Sequence, residues 1–202
     1  SIADSTGNLL FYCGSPHISL WQSGGVYFVG VIYNNNNEIM ENGDTIATEL
    51  WYNEMVIVPD PNNSFKYYLF HLEMTTQNQG LYYSIVDLSF NNGSGKVISK
   101  NNRLLAGYMG DGISAVKQGN GRDWWVITRK SNFLSGGPPD NDYYVFSVTP
   151  NGIDTLPVQT IGSLNSTNGC SIRFNPSGEK FVFVNLRGLI EDVRNSKNIN
   201  LF

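Results

Sequence analysis

Apolar and polar residues along this chain alternate in short blocks rather than in helical stripes. Runs such as Met55-Val-Ile-Val58, Leu81-Tyr-Tyr-Ser-Ile-Val86 and Tyr143-Tyr-Val-Phe-Ser-Val148 are rich in β-branched and aromatic side chains. Gly, Pro, Asn and Asp bound them, and these are the residues that open and close turns. No window of useful length places apolar residues at i, i+3, i+4 and i+7, so almost no helix is expected. Leu186 to Asn195 is the least defined stretch and reads as a short helical turn or a loop.

One combination recurs four times: a polar turn followed at once by an aromatic-rich run. The copies are Asp4-Ser-Thr-Gly7 before Leu10-Phe-Tyr12, Asn62-Asn-Ser64 before Tyr67-Tyr-Leu-Phe70, Gly119-Asn-Gly121 before Trp124-Trp-Val-Ile127, and Asn175-Pro-Ser-Gly178 before Phe181-Val-Phe-Val184. The turn positions 7, 64, 121 and 178 step by 57 residues. Each unit reads as a strand before the turn, the aromatic strand after it, and a third strand beyond a variable loop. The first strands are Ser1-Ile-Ala3, Met55–Val58, Ile113-Ser-Ala-Val116 and Cys170-Ser-Ile-Arg-Phe174. The third are Val26–Tyr33, Leu81–Val86, Tyr143–Val148 and Ile199–Phe202. A fourth strand is expected at Glu38-Ile-Met40, Lys96-Val-Ile-Ser99 and Pro157-Val-Gln-Thr-Ile161.

A fixed period without helical patterning inside the unit points to small stacked sheets, and four-stranded units set radially make a β-propeller. The expectation is an all-β chain holding about four blades, approximately 1–50, 51–107, 108–164 and 165–202, the last incomplete. All 202 residues then form one domain, read as part of a larger ring of about six to eight blades in preference to four units closing on themselves with a trimmed last blade.

Composition narrows the partners. Only 15% of residues are charged, against about 25% in an average domain. Polarity comes instead from 25 Asn together with Ser, Thr and Gly, which suits many tight turns. A net charge of −4 offers nothing to a polyanion, so no nucleic-acid partner is expected. No apolar run approaches the ~20 residues that span a bilayer as a helix. Ser1 is not an initiator Met, which reads as a processed or trimmed end. Cys13 and Cys170 read as buried free thiols.

The motifs that would carry chemistry are sparse. There is no Gly-x-Ser-x-Gly elbow and no His-Glu-x-x-His, and His17 and His71 are the only histidines. His71, at the end of an aromatic strand, reads as a packed or rim residue rather than a base. Gly93-Ser-Gly-Lys96 lacks the remainder of a phosphate loop and reads as a hairpin turn. Asp140-Asn-Asp142 follows Gly136-Gly-Pro-Pro139, and two carboxylates in such a loop are the one candidate for a hard cation such as calcium. No other cofactor is expected. Trp124 and Trp125 face opposite sides of a strand, and both read as core. Trp21, Trp51 and Tyr52 lie in less regular stretches and are the candidates for an exposed stacking surface of the kind that binds sugars. Asp4 to Phe11 resembles the structural Asp-box hairpin of sialidases. However, Arg103, Arg122, Arg129, Arg173, Arg187 and Arg194 show no spacing that argues for a carboxylate-binding cluster.

Several longer runs carry a family likeness: Ser1–Tyr12, Ile32-Tyr-Asn-Asn-Asn-Asn-Glu-Ile-Met-Glu-Asn-Gly43, Val56-Ile-Val-Pro59, Gly80-Leu-Tyr-Tyr-Ser-Ile-Val-Asp-Leu88 and Ala115-Val-Lys-Gln-Gly-Asn-Gly-Arg-Asp-Trp-Trp-Val126. Their order resembles the N-terminal propeller region of large secreted proteins of the Bacteroidota. Those proteins bear a gliding-motility-associated or type IX secretion sorting domain at their C-terminus. The resemblance implies a secreted or cell-surface protein with no catalytic residues to carry over. Cys13 and the stretch Pro16 to Gly24 depart from the family's pattern. Asp4-Ser-Thr6, Asp44-Thr-Ile46 and Asp154-Thr-Leu156 resemble that phylum's O-glycosylation triplet.

Three functional readings follow. The first is a non-catalytic extracellular module for adhesion, surface scaffolding, or binding of a glycan or protein. The second is a hydrolase or lyase acting on polysaccharide, which requires two carboxylates converging beside an Arg or Tyr. The third is a ligand-free spacer.

Overall fold

The apolar blocks become antiparallel strands throughout the computed structural model, which describes residues 1–14, 20–22, 25–27, 29–49, 53–74, 78–131, 136–165, 169–185 and 199–200. The chain is all-β, and the one helical element among the described residues is a 3₁₀ turn at Asn91–Gly93. No described helix is long and apolar enough to cross a membrane. The strands fall into two units, Ser1–Ala106 and Gly107–Phe202.

In the first unit, β1 (Ile2–Ala3), β2 (Leu9–Gly14) and β5 (Val31–Asn34) form a sheet in the order β1-β2-β5. Between them β3 (Leu20–Gln22) and β4 (Gly25–Tyr27) make a separate hairpin. A four-stranded meander follows, with β6 (Met55–Pro59), β7 (Lys66–Glu73), β8 (Gly80–Asp87) and β9 (Lys96–Ala106) side by side in sequence order. In the second unit, β10 (Ser114–Lys117), β11 (Trp124–Arg129), β12 (Asp140–Thr149) and β13 (Gly152–Thr155) repeat that meander. β14 (Gln159–Asn165) extends it by pairing with the start of β12. A last sheet contains β15 (Cys170–Phe174), β16 (Lys180–Asn185) and β17 (Ile199–Asn200).

Three expectations change. Val26–Tyr33 is not one strand: the chain breaks at Gly30, which exchanges both backbone hydrogen bonds with Ile46. A Cβ at Gly30 would stand 2.6 Å from Thr48 Cγ2, so only glycine admits this approach. Glu38–Met40 is shorter than expected: it pairs with β5 through a single antiparallel bridge, Ile39 to Tyr33. The Asn34 N–H donates to the Glu38 carbonyl and the Met40 N–H to the Ile32 carbonyl, both at 2.9 Å, and an Asx turn closes the link, the Asn34 side-chain oxygen accepting the Asn36 and Glu38 N–H groups at 2.9 and 3.0 Å. In the third repeat the fourth-strand position is shared by β13 and β14, which lie one after the other along β12. The stretch Leu186 to Asn195 lies outside the described residues.

The two units build their cores alike. In the first, Phe11 and Ile32 from β2 and β5 pack with Leu69, Val86 and Val97 of the meander, and with Met40 and Ile46 between the sheets. In the second, Ile127, Tyr143 and Val145 pack on Ile172 and Phe181. Trp124 and Trp125 are half-buried rather than core. Trp125 packs against the second cluster, and Lys117 Nζ lies 5.3 Å from the Trp124 ring.

Gly80 is the tightest point of the meander. A Cβ there would lie 2.2 Å from the Leu105 carbonyl oxygen, which belongs to the adjoining strand and cannot yield. Gly80→Ala is expected to lower stability by about 1–3 kcal/mol, the usual range for overpacking. Chemical denaturation checks this, and a loss below ~0.5 kcal/mol would contradict the close approach.

The recurring bends share one hydrogen-bonding scheme. The carbonyl of the first residue accepts the N–H three residues on: Asp4 from Gly7 (3.1 Å), Asp60 from Asn63 (3.3 Å), Gln118 from Gly121 (2.9 Å) and Asn175 from Gly178 (3.0 Å). Gly7, Gly121 and Gly178 carry φ of 89°, 71° and 73°, the left-handed region that favours glycine. Ser64 is not their counterpart. The bend from Asp60 to Lys66 is longer, and Asn63 takes the equivalent place.

Side chains stitch the bends shut. Asp4 Oδ1 accepts the Thr6 N–H and hydroxyl and the Asn8 N–H at 2.8–2.9 Å, while Oδ2 accepts the Asn8 amide at 3.0 Å. These bonds, the Asn8 side chain first, hold the Asp4 carboxyl down at about 2. Because its folded value lies below the unfolded one, Asp4 favours the bend above about pH 4, and the effect is lost as pH falls through 2. In an NMR titration, Asn8→Ala is expected to move the Asp4 midpoint back toward 3.8.

Candidate functional site

Each meander has two unlike ends. The bends joining its first and second strands, 60–66 and 118–123, carry the exposed Asx turns. The opposite end joins β7 to β8 and β11 to β12, and buried polar side chains collect there.

In the first unit this end holds Glu49, Glu54 and Glu73, all buried. Glu49 accepts the Met74 N–H through both carboxylate oxygens at 3.2 and 3.1 Å. The Thr48 hydroxyl donates to Glu54 at 3.3 Å. His71 is fully buried and lies flat against Tyr82 at 5.9 Å. Its Nδ1 donates to the Ala47 carbonyl at 2.7 Å, so Nε2 accepts the Ser84 hydroxyl at 3.0 Å. Burial pushes the ring down to about 4, so it stays neutral with both nitrogens engaged, which is the packed role read from the sequence.

In the second unit the centre is Arg129, which ends β11 and is 1% exposed. Its Nη2 donates to the Asp140 carbonyl (3.0 Å), the Asp140 carboxylate (2.9 Å) and the Asn165 carbonyl (3.1 Å), and Nε to the Lys130 carbonyl (3.3 Å). The guanidinium carbon lies 4.9 Å from the Phe183 ring centre and 5.6 Å from that of Tyr143. Cation–π attraction and the ion pair together offset the desolvation of a buried charge. Burial raises both Cys170 and Tyr143 to about 12, so each is neutral and unactivated at physiological pH.

The sequence candidates fare unevenly. Asp140 and Asp142 lie on β12, not in a Gly/Pro loop. Asp140 is taken by Arg129, and Asp142 accepts the Thr160 hydroxyl at 2.6 Å. A guanidinium paired to one carboxylate opposes a cation at the same place. Among the described residues no three His, Cys, Asp or Glu side chains gather at metal-binding distance. Trp21 lies on β3 opposite Val26, and Trp51 and Tyr52 fall outside the described residues. Cys13 and Cys170 are both free thiols, Cys170 buried and Cys13 half-buried. In the first unit Cys13 helps line a cavity of about 270 Å³ with Ser1, Met55, Val56, Ile57 and Leu69, and burial raises its thiol to about 12. Gly93 to Lys96 runs from the end of the 3₁₀ turn to the start of β9, within the connection between the paired strands β8 and β9.

Arg129 is the residue that sequence reasoning missed. The only signal was a charged residue closing an otherwise apolar strand, Trp124-Trp-Val-Ile-Thr-Arg129. Comparison of the chain with protein families, with curated proteins and with solved structures returns no match.

Proposed function

We propose that this chain is a non-catalytic β-propeller module of a secreted or surface-exposed protein, binding a glycan or protein partner through the end of its sheets opposite the Asx bends. The carrying observation is the polarity of each meander. One end is closed by short stitched turns, while the other concentrates buried Glu49, Glu54, Glu73 and His71 in one unit and, in the other, buried Arg129 and Asn165 with the half-buried Asp140. Buried polar networks of this kind hold strand ends rigid, which suits a preorganised display surface. The repeated four-strand meander and the shared bend scheme support the propeller reading. The non-catalytic reading is supported by the chemistry of the described residues: neutral, unactivated thiols and a histidine with both nitrogens bonded.

The test is a glycan array and a surface-protein pull-down with the full chain, run beside polysaccharide-turnover assays. Binding that survives Asn8→Ala and Asn120→Ala at the bends, without turnover, supports the proposal. Turnover of any polysaccharide overturns it in favour of a hydrolase or lyase. Absence of both binding and turnover leaves the spacer reading.

A further inference from the structure

We propose that residues 41–48 form a strap across the outer edge of β9 that is fastened by His71 and released by acid. The strap runs along β9 through a series of bonds. Val97 N–H donates to the Glu41 carbonyl (2.9 Å), and the Asn42 amide to the Val97 carbonyl (2.8 Å). Lys100 Nζ donates to the Asp44 carbonyl and carboxylate and to the Thr45 hydroxyl at 3.0–3.2 Å. Asn101 clasps the strap from both sides, donating to the Thr45 carbonyl (2.9 Å) and accepting the Ala47 N–H (3.0 Å). Those contacts occupy edge groups of β9 that would otherwise be open to another strand.

The strap is held under strain. Thr45 has a φ of 52°, which is uncommon for a β-branched residue and costs energy that the anchors must supply. Of the anchors, His71 is the one that would take up a proton near neutral pH once the strap opens and frees the ring. Its Nδ1–H holds the Ala47 carbonyl, and its bare Nε2 takes the Ser84 hydroxyl, whose oxygen also accepts the Asn101 N–H at 3.1 Å. A proton on Nε2 would force the Ser84 hydroxyl to turn its hydrogen away and would place a charge on a ring that is 0% exposed.

The ionisable groups on the surrounding elements are Asp44 and Glu49 from the strap side, Glu54 before β6, Glu73 on β7, Tyr82 on β8, and Lys100 and Arg103 on β9. Lys100 is bonded to Asp44, Glu49 to the Met74 N–H and Glu54 to Thr48. Burial outweighs the hydrogen bond to the Ala47 carbonyl and holds the ring value down at about 4. The closed strap therefore binds fewer protons than the open one. Its stability is complete above about pH 6.5 and falls as pH drops toward 4.

Hydrogen exchange tests this, with rates corrected for the pH dependence of free amides. Between pH 7.5 and 5, protection of Ile46, Ala47 and Thr48 is expected to fall about thirtyfold more than that of Leu81 to Val86 in β8. His71→Gln, which does not titrate, should abolish the difference. Equal loss in strap and β8, or the same acid loss in His71→Gln, overturns the proposal. If His71→Gln does not fold, an NMR titration of the native chain decides. A shared midpoint for the His71 ring and the Ala47 amide supports the strap, and separate midpoints reject it.

Discussion

Phe11→Ala is expected to cost about 3–5 kcal/mol, the range for truncating a fully buried aromatic in a core that cannot collapse. Phe11 is 0% exposed and meets Tyr67 edge-on with ring centres 5.5 Å apart. It brings the short sheet of β1, β2 and β5 against Leu69, Val86 and Val97 of the meander. Its loss leaves a void between two pleated faces, each stiffened by its own ladder. Urea denaturation measures the effect, with the midpoint expected to fall and the slope to hold. Phe11→Leu keeps most of the volume and should cost less than half as much. A loss below ~1 kcal/mol for the alanine variant would mean that the two sheets are held by something other than this cluster.

The second large effect is at Arg129. Arg129→Ala removes one member of a buried ion pair and leaves the Asp140 carboxylate and the Asp140 and Asn165 carbonyls without their donor. Breaking such a pair costs about 3–5 kcal/mol. The Asp140 side chain is 22% exposed and regains some water, so the expected loss is about 3 kcal/mol, at the lower end. Arg129→Met restores the packing against Tyr143 and Phe183 and should recover part of that loss. Asp140→Asn in the Arg129→Met background should be less damaging than in the native chain, because the carboxylate has then already lost its guanidinium. A double-mutant cycle reads this coupling directly, and strict additivity would show that the pair contributes nothing.

Much of the strand pattern was legible because it depends on local chemistry. β15 is the run from Cys170 to Phe174 read from the sequence, and β6, β8, β10 and β16 differ by a residue or so at their ends. β-branched and aromatic runs between turn residues leave little choice. Other features were hidden because they depend on what approaches from far along the chain. Gly30 breaks a strand-like run since Thr48 comes within 2.6 Å of its absent Cβ, and no feature of Val26–Tyr33 announces that. The evenly spaced bends were real, yet Ser64 was paired with glycines because loop length changes by single residues without changing the bend.

The candidate site was far less legible. Aromatic residues in irregular stretches point to Trp21, Trp51 and Tyr52, while the buried polar chemistry gathers at Arg129, Glu49, Glu54 and Glu73. Burial of a charge is set by partners on other strands. Arg129 finds its oxygens at Asp140 and Asn165, and six scattered arginines give no hint which one will do so. Asp140 and Asp142 looked like paired ligands two apart, but an arginine from the neighbouring strand claims the first.

The stitched bends bear on how the chain is made. Each one closes within a few residues, through a side chain that belongs to the bend itself, so little chain entropy is lost in forming it. Contacts this local form early, and adjoining strands can zip outward from them before distant sequence has arrived. A chain built this way acquires its sheets in the order of its synthesis, and within each unit the first sheet need only wait for the second to cover its apolar face.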